Sequence, residues 1–260
     1  MPTRERIDSP FASHGPAVAG SAASPADART PDPAAIEGSP SGSRARLSLR
    51  ALTGFEEEYI EAHAAQDNTV ALCNEVLARC LVAPGEDPAA ARATVRALLV
   101  AERDRELVAL RRLSLGPQVS ALVPCPTCGE HSAADFSLDA LPLEFSVVEG
   151  PVRLDMDGVG EVLLRLPTAG DQEDLFDAGL GGDAERRSWL IARCLERFGD
   201  REDGFDLDFA RGLPIDVRAA LEAAIGDRLP DLELEMAVEC SYCAAPIAAP
   251  FDVPVFFFSS

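Results

Sequence analysis

Lysine is missing from this sequence: all 23 of its basic residues are arginine. With so much alanine alongside, this reads as the codon bias of a GC-rich genome and carries no functional meaning. Histidine is scarce, with only His14, His63 and His131, and no motif around any of them supports a Ser-His-Asp or Cys-His arrangement. There is no P-loop, no G-x-G-x-x-G after a strand pattern and no H-E-x-x-H, so the common nucleotide-binding and metalloprotease signatures are absent. No apolar run approaches the length of about eighteen residues that a membrane-spanning helix needs. The start, Met1-Pro2-Thr3-Arg4-Glu5-Arg6, leads into Pro, Ala, Gly and Ser without an apolar stretch, which argues against secretion. The expected compartment is the cytoplasm, where thiols stay reduced.

What is present is cysteine in a pattern. Four of the seven cysteines fall in two Cys-x-x-Cys turns, Cys125-Pro126-Thr127-Cys128 and Cys240-Ser241-Tyr242-Cys243. Together they supply four thiolates, the ligand count of a closed tetrahedral structural zinc site. At the same offset of 115 residues, Ala133-Ala134-x-Phe136 matches Ala248-Ala249-x-Phe251, so each half reads as strand, knuckle, strand. Between the pairs lie 111 residues, where compact ribbons leave about fifteen to twenty. Closing the longer loop adds about 1.5 kcal/mol of entropy, against on the order of 10 kcal/mol or more from a four-thiolate zinc. The separation therefore does not forbid the site, and Cys125, Cys128, Cys240 and Cys243 are the candidate ligands of a structural zinc ion.

Chance pairing, a redox dithiol and a disulfide between the pairs would each give two Cys-x-x-Cys turns without a metal. A redox dithiol sits between a strand and the start of a helix, whereas strand-like sequence follows both pairs here. A disulfide needs an oxidising compartment. One difference separates the knuckles, because Gly129, whose backbone freedom suits such a turn, is answered by Ala244. His131 is a weaker candidate ligand, since four cysteines already fill the shell. Cys73, Cys80 and Cys194 lie in apolar helical patterns and read as core.

The fold class expected is α+β: a helical N-terminal part plus a split four-cysteine zinc ribbon with an inserted α/β segment. Residues 1–46, rich in Pro, Ala, Gly and Ser without apolar periodicity, read as a disordered tail. Residues 47–116 form the helical region. Leu47-x-Leu49-x-x-Leu52 predicts a short strand, and Thr53 with Glu56 a capping box that opens a helix over about 54–66. Asn68 caps a second helix with the stripe Val70, Cys73, Val76, Leu77 and Cys80, ended at Pro84-Gly85. After Val95-x-x-Leu98-Leu99 comes the charged stretch Glu102 to Arg112. It places Leu107, Leu110 and Leu113 on a core face and its charges in solvent, up to Gly116.

Residues 117–138 and 232–258 are the two ribbon halves, and 139–231 an inserted hairpin and helices. The hairpin joins Val152-x-Leu154 to Val162-Leu163-Leu164 across Gly158-x-Gly160. Thr168, with Asp171 three residues on, caps the next helix. Further helices cover about 184–198, burying Trp189, Leu190, Cys194 and Leu195, and about 215–225. Leu232-x-Leu234-x-Met236 is a strand returning to the second knuckle. Val255-Phe256-Phe257-Phe258 places aromatics on both faces of a strand and is a candidate contact surface.

The net charge is −21. Residues 1–46 hold five arginines and five acids, leaving 18 arginines against 39 acids on the rest. A domain this acidic repels phosphate backbones, which favours a protein partner over a nucleic acid. That opposes the alternative of a zinc-ribbon adaptor in transcription or another nucleic-acid process, as the missing catalytic constellation opposes a hydrolase or redox enzyme.

The motifs also occur in a telling order: Leu52-Thr53-Gly54 with acidic residues, Glu102-Arg103-Asp104-Arg105 and Leu110-Arg111-Arg112, Cys125-Pro126-x-Cys128-Gly129, Arg165-Leu166-Pro167-Thr168-x-x-Asp171, the second Cys-x-x-Cys and Phe251-Asp252. Over residues 47–258 this resembles the baseplate hub assembly chaperone family of T-even-like contractile phages and phage-tail-like contractile injection systems. The resemblance implies a non-enzymatic assembly factor in the bacterial cytoplasm, left behind or incorporated in the tail particle. Baseplate or hub proteins would be its partners, with no nucleic acid and no membrane.

Overall fold

The computed structural model describes residues 46–65, 68–81, 87–141, 150–229, 235–250 and 253. Among them helix and sheet are mixed: eight α-helices and three small antiparallel sheets of two or three strands. The N-terminal part is helical, with α1 (Gly54–His63), α2 (Thr69–Arg79), α3 (Pro88–Arg96) and α4 (Val100–Leu115). Each start is fixed by local chemistry. The Glu56 carboxylate accepts from the Thr53 N–H at 3.0 Å and from its Oγ1 at 2.7 Å, satisfying groups the first turn of α1 cannot pair internally. Asn68 Oδ1 accepts the Ala71 N–H of α2 at 3.0 Å. The expected strand near residue 49 is reduced to one bridge, Leu49 to Leu81.

Then come the hairpin β1 (Gln118–Pro124) and β2 (His131–Ser137), and a second hairpin of β3 (Val152–Met156) and β4 (Gly160–Leu164). After it follow α5 (Ala169–Asp177), α6 (Asp183–Cys194), β5 (Leu195–Phe198), α7 (Leu207–Gly212) and α8 (Ile215–Gly226). The last hairpin is β6 (Glu235–Glu239) and β7 (Pro246–Pro250). The helix expected over 184–198 stops at Cys194, because Leu195 to Phe198 instead pairs with β4 as a third strand. Trp189, expected in the core, is only half-buried, while Leu190, Cys194 and Leu195 are buried. The short helix α7 is an addition to the expected elements. Outside the described residues lie nearly all of the N-terminal tail, Pro84-Gly85, Leu232 and Leu234, Phe251-Asp252 and the run Val255 to Phe258.

Three apolar clusters organise these elements. One joins α2, α3 and α4 through Val76, Leu77, Val95, Leu107 and Leu110, and takes in Val119 of β1, Leu138 and Val253. A second joins β4, α6 and α8 through Val162, Leu164, Ile191, Leu221 and Ile225. The third is the small core between the two end hairpins.

The charged face of α4 departs from expectation. Glu102, Arg103, Arg105, Glu106 and Arg111 are buried, whereas Leu113 is 53% exposed. Arg103 lies under α5, which comes from later in the chain and packs against α2, α3 and α4. Arg103 donates to Gln172 Oε1 at 2.7 Å and Asn74 Oδ1 at 3.3 Å. Asn74 in turn donates to Glu173 at 2.9 Å and to the Ala169 carbonyl at 3.2 Å. Arg96 pairs with Glu173 and Asp174, both at 2.6 Å. Burying such groups is costly unless they are bonded in this way.

Candidate metal centre

Each Cys-x-x-Cys turn is carried at the tip of one end hairpin, and the two hairpins repeat one another in detail. In the first, Val123 opposes Ser132 and Pro124 opposes His131; in the second, at the offset of 115 residues, Val238 opposes Ile247 and Glu239 opposes Pro246. The Cys125 N–H donates to the Glu130 carbonyl at 2.8 Å and the Gly129 N–H to the Cys125 carbonyl at 2.9 Å. In the second turn the Cys240 N–H donates to Ala245 and the Ala244 N–H to Cys240, each at 2.9 Å. Gly129 has φ +79° and Ala244 φ +58°, the one non-glycine residue with positive φ among those described. The difference between Gly129 and Ala244 in the sequence is thus no difference in backbone: the hydrogen bonds impose the left-handed conformation on both.

The two tips face each other. Cys125 Sγ lies 3.7 Å from Cys243 Sγ and Cys128 Sγ 3.6 Å from Cys240 Sγ, and all four sulfurs are within 4.8 Å of one another. These distances are far beyond a disulfide bond of about 2.05 Å. Cys125 and Cys240 are buried, with Val123, Ala134 and Ile247 packed around them, while Cys128 and Cys243 are exposed. Four sulfurs this close from two knuckles can bind a metal ion.

The surroundings divide the four thiols, lowering the two buried ones and raising the two exposed ones. The Ser132 hydroxyl, then the N–H groups of Tyr242 and Cys243, pull Cys240 down to about 6. The Cys128 and Thr127 N–H groups lower Cys125. Cys128 is drawn down by the Glu130 N–H, but loss of solvation and the other thiols lift it to about 12. Cys243 is likewise raised by loss of solvation and neighbouring thiols, against the Ala245 N–H. Four negative sulfurs within this volume repel unless a cation lies among them.

The other residues singled out in the sequence lie elsewhere. Cys73, Cys80 and Cys194 are fully buried in the two larger cores. His131 is exposed on β2, and His63 stacks on Tyr59 with ring centroids 4.0 Å apart. Sequence reasoning missed Ser132, which is buried and donates to Cys240 Sγ at 3.4 Å. The signal was there in the repeat, where a polar Ser132 stands against an apolar Ile247.

A family model described as T4 bacteriophage base plate protein matches residues 36–258, a span that holds both cysteine pairs and everything between them. The chain belongs to that family. No curated protein and no solved structure matches it. Membership in the T4 base plate protein family points to a role at a phage base plate, among base plate proteins. No described helix is long and apolar enough to cross a membrane.

Proposed function

We propose that the protein is a non-enzymatic assembly factor, a chaperone or scaffold, for the baseplate hub of a contractile phage tail or phage-tail-like injection system. In this reading Cys125, Cys128, Cys240 and Cys243 hold a structural zinc ion, which joins residues 117–138 and 232–258 into one ribbon around the insertion 139–231. The observation that carries the metal is the sulfur spacing. Tetrahedral Zn–S bonds of about 2.3 Å require sulfurs about 3.8 Å apart, and the facing pairs stand at 3.6 and 3.7 Å. Zinc bound there would supply cross-linking energy and no reaction chemistry, since four protein ligands leave no open position. Family membership supports the assembly role, and the acidic surface supports protein partners over nucleic acid. The protein would act in the bacterial cytoplasm, where tails are built, and enter the particle or leave it there.

Elemental analysis of the purified chain should return about one zinc per protein. Cys128→Ser and Cys243→Ser should each lose the metal and aggregate or unfold, while Cys73→Ala, a buried site in α2, costs only about 1 kcal/mol. Co-expression with hub proteins should recover a complex, and DNA should not bind at physiological salt. Metal-free protein with an unchanged fold would remove the zinc. Loss of the hub complex alone would remove the assembly role.

A further inference from the structure

The two halves of the cysteine cluster repeat each other in backbone and register, yet at one place they differ in a coordinated way. Ser132 of the first half reaches across to the second, where its oxygen accepts the Ser241 N–H at 3.0 Å and its hydroxyl donates to Cys240 Sγ at 3.4 Å. The serine is almost fully buried, so neither role is shared with water. At the offset of 115 residues the counterpart of Ser132 is Ile247, which has no hydroxyl, and the counterpart of Ser241 is Pro126, which has no N–H. Where the acceptor is missing, the donor is missing too. The counterpart positions are therefore both apolar, and the second half asks for no such hydrogen bond of the first.

We propose that Ser132 is a positioning residue for the metal centre: it holds Cys240 in place and sets how slowly the ion is released. This rests on the reading of the four cysteines as a metal site. One hydroxyl spends its donor and an acceptor site on the same knuckle, which fixes both the sulfur and the turn that carries it. A metal-bound thiolate is still a good acceptor, so the hydroxyl of the first half keeps its hold on Cys240 of the second when the ion is bound. Ser132 thereby links ion binding to closure of the two halves. Contacts of this kind around metal ligands are worth about 10- to 100-fold in affinity. The matched substitutions also bias the pairing: in two first halves brought together the Ser132 oxygen would lose the N–H it accepts, because Pro126 has none to give.

The test loads the full chain and its variants with zinc and follows release to a chromogenic chelator. Ser132→Ala should still bind one ion but release it about tenfold faster or more, and Ser120→Ala, an exposed serine of the same hairpin, should match the parent. In cobalt-loaded protein the thiolate-to-metal charge-transfer bands should shift in Ser132→Ala and return in Ser132→Thr, a change that lost packing alone does not produce. Should Ser132→Ala not fold, the isosteric pair Ser132→Thr and Ser132→Val decides, with the hydroxyl as their only chemical difference. Slow release from Thr and fast release from Val support the proposal, and equal rates overturn it. If the parent binds tightly and Ser132→Ala releases zinc as slowly, the proposal fails while the metal site stands. If the parent takes up no metal, the metal reading fails, and this proposal with it.

Discussion

Ala244 occupies a backbone conformation that disfavours a side chain, at a cost of about 1 kcal/mol or slightly more. Gly129, its counterpart, avoids that cost, and a Cβ built on it meets nothing within 4 Å. The two positions therefore isolate conformational strain from crowding. Ala244→Gly should raise stability and Gly129→Ala lower it, each by about 1 kcal/mol, in urea unfolding of the purified protein. Equal and negligible effects would mean the turns relax freely. At this scale the sequence was only partly legible. The four cysteines announced themselves by spacing, but φ at Ala244 follows from hydrogen bonds within the turn and not from residue type. Ser132 was hidden for a related reason, as its partners belong to the other end of the chain.

Gly170 shows how an element is held by its neighbours. A Cβ there would meet the Arg96 carbonyl oxygen at 3.0 Å and its Cβ at 3.1 Å, so α5 approaches α3 as closely as backbone allows. In an open helix, Gly→Ala stabilises by about 1 kcal/mol. Here Gly170→Ala should destabilise by about 1–3 kcal/mol, because moving α5 outward stretches the pairs of Arg96 with Glu173 and Asp174. Chemical denaturation gives the sign directly, and a gain in stability would show that α5 can shift without loss. Helix starts were legible because caps are local, as at Thr53, Asn68 and Thr168. The burial of Arg103 was not. Its charge pattern along α4 is that of a solvated face, and nothing nearby in sequence announces that α5 will cover it. Likewise Leu195 to Phe198 continues a helical pattern, and only pairing with β4, some thirty residues earlier, makes it a strand.

Two ion-paired carboxylates sit in different parts of the fold, Glu56 with Arg50 and Asp171 with Arg165. Arg50, and then Thr53, hold Glu56 down to about 2 from an ordinary 4.5, against the opposing effect of burial. Asp171 is also lowered: burial pushes it up, but Arg165 at 2.5 and 2.8 Å and the Thr168 cap outweigh that. Both folded values lie below the unfolded ones, so each group contributes stability above the ordinary carboxylate range. The Glu56 contribution fades as pH falls from about 4.5 through 2, and that of Asp171 fades as pH falls through and below the ordinary carboxylate range. Glu56→Gln should flatten the acid limb of the stability curve between these limits, and Asp171→Asn should flatten it below the ordinary carboxylate range. Stability is read as variant minus parent, so that metal loss common to both cancels; unchanged slopes would show that neither pair matters to folding. Leu138 and Val253, equivalent positions in the repeat, both enter the core built by α2, α3 and α4, so that core receives a residue from beyond each end hairpin. This has a consequence in time. A ribosome adding about 5–20 residues per second needs about 6 to 23 seconds for the 115 residues from Cys128 to Cys243. Throughout that interval the nascent chain carries a two-sulfur hook with no mate, within reach of the same hook on the next chain of a polysome. If the two halves pair as proposed, Pro126 has no N–H to offer the Ser132 of such a neighbour, which would make two such hooks a poorer match than a first half with a second.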